Sequence, residues 1–147
     1  LSEKGDNLLE AYKNSRGEGS GPEVRRRIIL GTYLLSAGYY DAYYGKAMMA
    51  RKVIQKEFED AFKEVDAILT PTTPTPAFKI GEKSSPLEMY LADIFTVSAN
   101  IVGCPAISIP SGFAEIDGKN LPIGIQLMAP HLQESTLFEI GKVFLKE

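Results

Sequence analysis

Cysteine and histidine are almost missing from this 147-residue chain: Cys104 and His131 are the single examples of each. One thiol permits no intrachain disulfide and no cysteine-cluster zinc site. One imidazole weakens any reading that needs a Ser–His or Cys–His pair or a multi-histidine metal site. No apolar run approaches the length needed to span a bilayer, and no charged-then-apolar signal peptide opens the chain. Basic charge is not in excess either. The net charge of -3 argues against a large basic surface gripping nucleic acid unaided, though it leaves open contact with RNA through a partner protein. The first residue is Leu1 rather than Met, as expected of a segment of a longer protein, and a soluble cytoplasmic origin is the plain expectation.

What is present is ordinary for a globular domain: 44% hydrophobic and 24% charged residues, enough in a chain of this size for one modest core. Residues 1–147 therefore read as one unit, with 1–19 a poorly defined polar lead-in. Ser20, Pro22 and Glu23 read as a capping box with proline in the first turn, so a helix of roughly four turns is expected from Pro22. Val24, Ile28, Leu34 and Leu35 would form its apolar side. A longer helix is expected over 40–64, with Tyr40, Tyr44, Ala47, Ile54, Phe58, Ala61 and Val65 inward. Arg51, Lys52, Gln55, Lys56, Glu59 and Lys63 would lie mostly opposite, with Glu59 and Lys63 one turn apart. A short strand over 67–70 runs into a threonine–proline stretch at 71–76, where the prolines force an extended path. A helix over 86–96, a strand over 106–109 ended by Pro110, a turn at Asp117–Gly118 and a strand over 121–127 follow. A last helix would turn Leu137, Ile140 and Phe144 inward. Short strands between helices make an α/β arrangement.

Several residue groups could carry chemistry. Arg25, Arg26 and Arg27 cannot share one helix face, because each step turns the helix by about a hundred degrees. Arg27, beside Ile28, is the one expected to point inward, where a guanidinium needs a carboxylate from protein or ligand. Asp93 sits in a mostly apolar helix, where the residues alone favour a structural role, holding a loop by accepting N–H bonds, over binding an ammonium group. Ser98, Ser108 and Ser111 lie near glycines and a proline, but none has a histidine or lysine at a spacing that identifies a general base. Ser20 is better read as the helix cap. Cys104, between Gly103 and Pro105, reads as a small buried hydrophobe rather than a reactive thiol. The tyrosines at 39, 40, 43 and 44 could be a stacking platform for bases, although helical spacing puts at least two of the rings in the core. No nucleophile is visible from motifs alone.

Taken together, residues 23–33 (EVRRRIILGTY), 36–44 (SAGYYDAYY), 66–74 (DAILTPTTP), 100–110 (NIVGCPAISIP) and 122–126 (PIGIQ) resemble one family, in order and over nearly the whole chain. It is the A subunits of aspartyl/glutamyl-tRNA amidotransferases, within the amidase-signature enzymes. The last two segments alone would fit amidase-signature enzymes at large. Ser20, where a bulky aromatic is usual, and Cys104, where leucine is common, depart from the pattern. The resemblance implies the C-terminal portion of the amidase-signature fold, a mixed β-sheet flanked by helices. It implies a glutamine amidohydrolase whose serine–serine–lysine triad lies upstream, so that this segment alone is expected to be inactive. The ammonia would pass to a partner subunit that activates misacylated Glu-tRNA(Gln) or Asp-tRNA(Asn) with ATP and magnesium, and no cofactor is expected in the segment itself. The implied partners are glutamine, the B and C type subunits, and tRNA indirectly. By matching position, Arg27 (or its neighbour Arg26) falls where the family binds the glutamine α-carboxylate, and Asp93 where it binds the α-ammonium. A general small-amide hydrolase and a non-catalytic assembly or RNA-docking module are the alternative readings, and the acidic net charge counts against direct RNA binding.

Overall fold

A computed structural model describes residues 6–82 and 85–146; the first five residues of the lead-in lie outside them. The chain divides into two compact units, Leu1–Ala50 and Arg51–Glu147.

In the first unit the lead-in, expected to hold no defined element, contains α1 (Leu8–Gly17). Its start is specified locally. The Asn7 side chain accepts from the Glu10 amide, and Glu10 in turn accepts from the Asp6 amide, each at 3.0 Å, so two amides at the helix start are satisfied. Helix α2 (Pro22–Leu34) begins at the expected proline, but its N-cap is Gly21 with no side-chain cap bond. The Ser20 capping box does not form: with Gly21 as the N-cap, Ser20 lies one residue outside the helix and Glu23 is its second residue rather than its third, and Glu23 pairs with Arg26 and Arg27 instead. The next segment, Tyr40–Gly45, is a π-helix rather than the start of an α-helix, and α3 follows over Lys46–Ala61. Tyr39, Tyr40, Tyr43 and Tyr44 stack against one another or against Tyr33, yet all are exposed, contrary to the expectation of two core rings. Val24, Ile28 and Leu35 are exposed too, and no described residue of this unit is buried.

The second unit holds the core. Along the rest of α3 the half-buried positions are Arg51, Ile54, Gln55 and Phe58. Ile54 and Phe58 fall where the apolar spacing puts them, whereas Arg51 and Gln55 were expected on the outer face. Tyr40, Tyr44, Ala47, Ala61 and Val65 of the expected stripe are exposed. Asp60 takes Lys56 and Lys63 at 2.7 and 2.6 Å, so Lys63 pairs with Asp60 and not with Glu59. Three strands, β1 (Ile68–Pro71), β2 (Ala106–Ile116) and β3 (Lys119–Met128), form an antiparallel sheet in the order β1-β3-β2. Strand β2 does not stop at Pro110. It is an edge strand, where a missing donor is tolerated, and its register slips by one residue between Pro110 and Gly112 before pairing resumes. Ile116 pairs with Lys119 across Asp117 and Gly118, whose φ values are 51° and 70°. That is the two-residue hairpin expected of an Asp-Gly pair.

The two sheet faces differ. On one, Ile107, Ile109, Ile125 and Leu127 meet α6 (Glu134–Leu145) through Leu137 and Ile140. Gly141 lets the helix come close, since an added Cβ would lie 3.4 Å from the Ile107 Cδ1. Gly141 rather than Phe144 completes the buried face; Phe144 is exposed. The other face presents Thr70, Gln126 and Ser108 in one row, with Thr72 and Gly124 beside them. Here the helix expected over 86–96 is two short ones, α4 (Pro86–Ala92) and α5 (Thr96–Val102), joined by a turn at 93–95. The class is α/β, with helices on both faces of the sheet.

Candidate functional site

The α4–α5 turn carries Asp93. Ser85 and Glu88 form the capping box that starts α4: the Ser85 hydroxyl accepts from the Glu88 amide at 3.2 Å, and the Glu88 carboxylate accepts from the Ser85 amide at 3.3 Å. Pro86 stands at the first position, where no N–H is needed. The helix ends when the Asp93 amide turns back to the Tyr90 carbonyl at 3.2 Å, while the Asp93 carbonyl accepts from the amides of Thr96 and Val97, each at 3.0 Å. The Asp93 backbone is thus fully used in linking the two helices. Its carboxylate is exposed and makes no hydrogen bond or ion pair among the described residues.

Both ends of α5 are anchored by side chains from elsewhere in this unit. At its C-terminal end, Arg51 Nε donates to the Ile101 carbonyl at 2.7 Å and Gln55 Nε2 to the Val102 carbonyl at 2.9 Å. Gly103 closes the helix in the left-handed region at φ 83°, and its carbonyl lies 3.1 Å from His131 Nδ1. A carbonyl only accepts, so Nδ1 carries the proton. Three carbonyls that a helix end leaves orphaned are satisfied in this way, one of them by a cation suited to the negative end of the dipole. A cleft of about 600 Å³ opens beside these contacts, floored by Phe58, Phe62 and Val102. At the N-terminal end, the Gln126 amide donates to the Phe95 carbonyl at 3.0 Å and to Thr70 Oγ1 at 3.2 Å.

The arginine cluster belongs to the first unit. Arg27 Nε binds Glu23 Oε1 at 2.8 Å, and Arg26 Nε binds Glu23 Oε2 at 2.9 Å. The expectation that Arg27 points inward is not met: its side chain is 62% exposed. Glu23 lies three and four residues before the two arginines, so one carboxylate reaches both along the helix surface. The hydrogen bonds from Arg27, then those from Arg26, lower the Glu23 pKa below its usual value.

Among the described residues no serine is placed beside a general base. The Ser98 hydroxyl donates to the Phe95 carbonyl at 2.9 Å, and the Ser108 hydroxyl lies 2.7 Å from that of Thr72. Cys104 is half-buried, and burial raises its thiol pKa, which disfavours the thiolate. Among the described residues no group of three or more His, Cys, Asp or Glu could hold a metal ion, and no helix is long and apolar enough to cross a membrane. The roles of Arg51, Gln55, His131 and Gln126 were not read from the sequence. Gln126 carried a signal, a polar residue between Ile125 and Leu127 in the otherwise apolar run 121–128. Arg51 and Gln55 carried none, because a polar residue on an amphipathic helix reads by default as solvent-facing.

An α/β segment with this sheet and helix pair is what amidases contain: the Amidase family model matches residues 2–138, and the chain belongs to the amidase family. Within it the chain is similar to the A subunit of glutamyl-tRNA(Gln) amidotransferase from Koribacter versatilis, 59% identical over 141 residues that make up 95% of this chain and 29% of the relative. The same protein from Bacillus velezensis is 53% identical over 144 residues, or 97% of this chain and 29% of the relative. A crystal structure of its counterpart from Thermotoga maritima aligns with a TM-score of 0.63 at 49% identity, covering 88% of this chain and 28% of that one. The chain therefore spans under a third of the length of the relatives it matches.

Proposed function

We propose that this chain is the glutamine-recognition segment of the A subunit of a tRNA-dependent amidotransferase. The whole enzyme would hydrolyse glutamine and pass the ammonia to misacylated Glu-tRNA(Gln) or Asp-tRNA(Asn). The observation that carries this reading is the 59% identity to an amidotransferase of this kind over 95% of the chain. Both units then belong to one amidase domain. In this reading Arg27 receives the glutamine α-carboxylate, with Arg26 as its neighbouring alternative, and Asp93 receives the α-ammonium. The chemistry suits the pair. A guanidinium matches a carboxylate in two parallel hydrogen bonds, and the Asp93 carboxylate, which makes no hydrogen bond among the described residues, has acceptor sites suited to an amine. The nucleophile and its lysine come from the upstream part of the full-length protein, so this segment alone releases no ammonia from glutamine. ATP and magnesium belong to a partner subunit, the B and C type subunits complete the cytoplasmic assembly, and tRNA is met through them.

The test is kinetic. Arg27→Ala and Asp93→Ala, each in the full-length protein within the assembled enzyme, are expected to raise the glutamine KM by about tenfold or more, the value of one charge-assisted hydrogen bond. Unchanged KM in both variants removes the site assignment. A general amidase would instead accept small amides that lack both α-groups with undiminished efficiency, which substrate profiling of the intact enzyme reads directly.

A further inference from the structure

We propose that Gln126 is a positioning residue that sets where the Asp93 carboxylate stands, an inference that rests on the reading of Asp93 as the ammonium contact. Gln126 lies on the central strand, opposite Thr70 on one side and Ser108 on the other, and is only 4% exposed. A buried primary amide in an apolar strand is costly unless its hydrogen bonds are made. Its acceptors are the Thr70 hydroxyl and the Phe95 carbonyl. Because the carbonyl can only accept, the NH2 end is the one fixed toward Phe95.

Phe95 is the N-cap residue of α5 and lies two positions after Asp93. The Asp93 carbonyl is held in turn by the amides of Thr96 and Val97, so residues 93–97 form one hydrogen-bonded turn. The Asp93 carboxylate has no hydrogen bond of its own among the described residues. Its location is inherited from the turn, and the turn is pinned to the sheet through the Phe95 carbonyl. Arg51 and Gln55 hold only the far end of α5, at Ile101 and Val102. Removing the Gln126 donor leaves the helix end anchored and loosens the acidic turn, which keeps the weaker contact of the Ser98 hydroxyl with Met128 Sδ at 4.0 Å. A charged contact to a substrate ammonium weakens with small displacements, so the loss falls on substrates that carry that group.

The experiment compares glutamine with 4-carbamoylbutanoate, which is glutamine without its amino group, as substrates of the assembled enzyme carrying Gln126→Met, Asp93→Asn or both. Gln126→Met is expected to lower kcat/KM for glutamine by about tenfold, mainly through KM, and to change that for 4-carbamoylbutanoate by less than about twofold. In the Asp93→Asn background Gln126→Met should add no further discrimination between the two substrates. Equal losses on both substrates would mean that Gln126 only supports the fold, which overturns the proposal while Asp93→Asn still discriminates. If Asp93→Asn itself fails to discriminate, the ammonium assignment falls and the positioning role with it. Should Gln126→Met not fold, Thr70→Val removes the second partner of the same amide. It should shift glutamine selectively by about threefold, and an equal effect on both substrates again overturns the proposal.

Discussion

Glu23 gives its carboxylate to two arginines at once, and the hydrogen bonds from Arg27 and then Arg26 lower its pKa. Exposed pairs of this kind contribute little to stability, so a ligand carboxylate could displace Glu23 from Arg27 at small cost. Asp60 offers a sharper measurement. The Lys56 and then the Lys63 hydrogen bonds hold its pKa at about 2, down from 3.8. A depressed folded-state pKa means that the stabilisation is fully present above the unfolded value near 4. It is lost as pH falls through about 2. Carboxyl chemical shifts should therefore place the Asp60 midpoint near 2 in the folded protein and close to the ordinary value in Lys56→Met with Lys63→Met. Gly124 is constrained by contact rather than by conformation: a Cβ there would lie 2.9 Å from Ser108 Oγ and 3.0 Å from Thr72 Oγ1. Gly124→Ala is expected to break the hydrogen bond between those hydroxyls and cost about 1–3 kcal/mol by chemical denaturation.

Elements were legible where local chemistry decides them. Asp117–Gly118 specifies its hairpin because both positions need positive φ, and Gly118→Val should cost about 1 kcal/mol or more, read as a lower denaturation midpoint. The starts of α2 and α4 were legible from their prolines. The capping boxes were not: Ser20 and Glu23 match the pattern without forming one, whereas Ser85 and Glu88 form one. The difference lies in register: Ser85 is the N-cap of α4 and puts Glu88 at the third helical position, whereas α2 takes Gly21 as its N-cap and leaves Ser20 outside. The break at 93–95 was hidden because Leu91, Ile94 and Val97 keep a helical spacing through it. Pro110 reads as the end of a strand because the sequence does not say which strands are edges. Leu137, in contrast, was placed correctly by periodicity and is 1% exposed; Leu137→Ala should cost about 2–5 kcal/mol in thermal or denaturant unfolding.

At the scale of the whole molecule, every buried residue among those described falls between Ala99 and Gly141, in the second unit. The family was legible because its motifs run the length of the chain. Burial in the first unit was not, since an apolar spacing such as Val24, Ile28 and Leu35 reports a face and not what covers it. The same gap affects Arg27, whose inward direction was argued from that face. The proposed recognition of glutamine by Arg27 and Asp93 is read most directly by one crossed measurement. Glutamine, 4-carbamoylbutanoate lacking the α-ammonium, and glutamine methyl ester lacking the α-carboxylate are compared as substrates of the assembled enzyme with Arg27→Ala or Asp93→Asn. Asp93→Asn is expected to lose about tenfold or more in kcat/KM on glutamine and on the ester but little on 4-carbamoylbutanoate, while Arg27→Ala spares only the ester. Equal losses on all three substrates in either variant, or no loss in both, would contradict it.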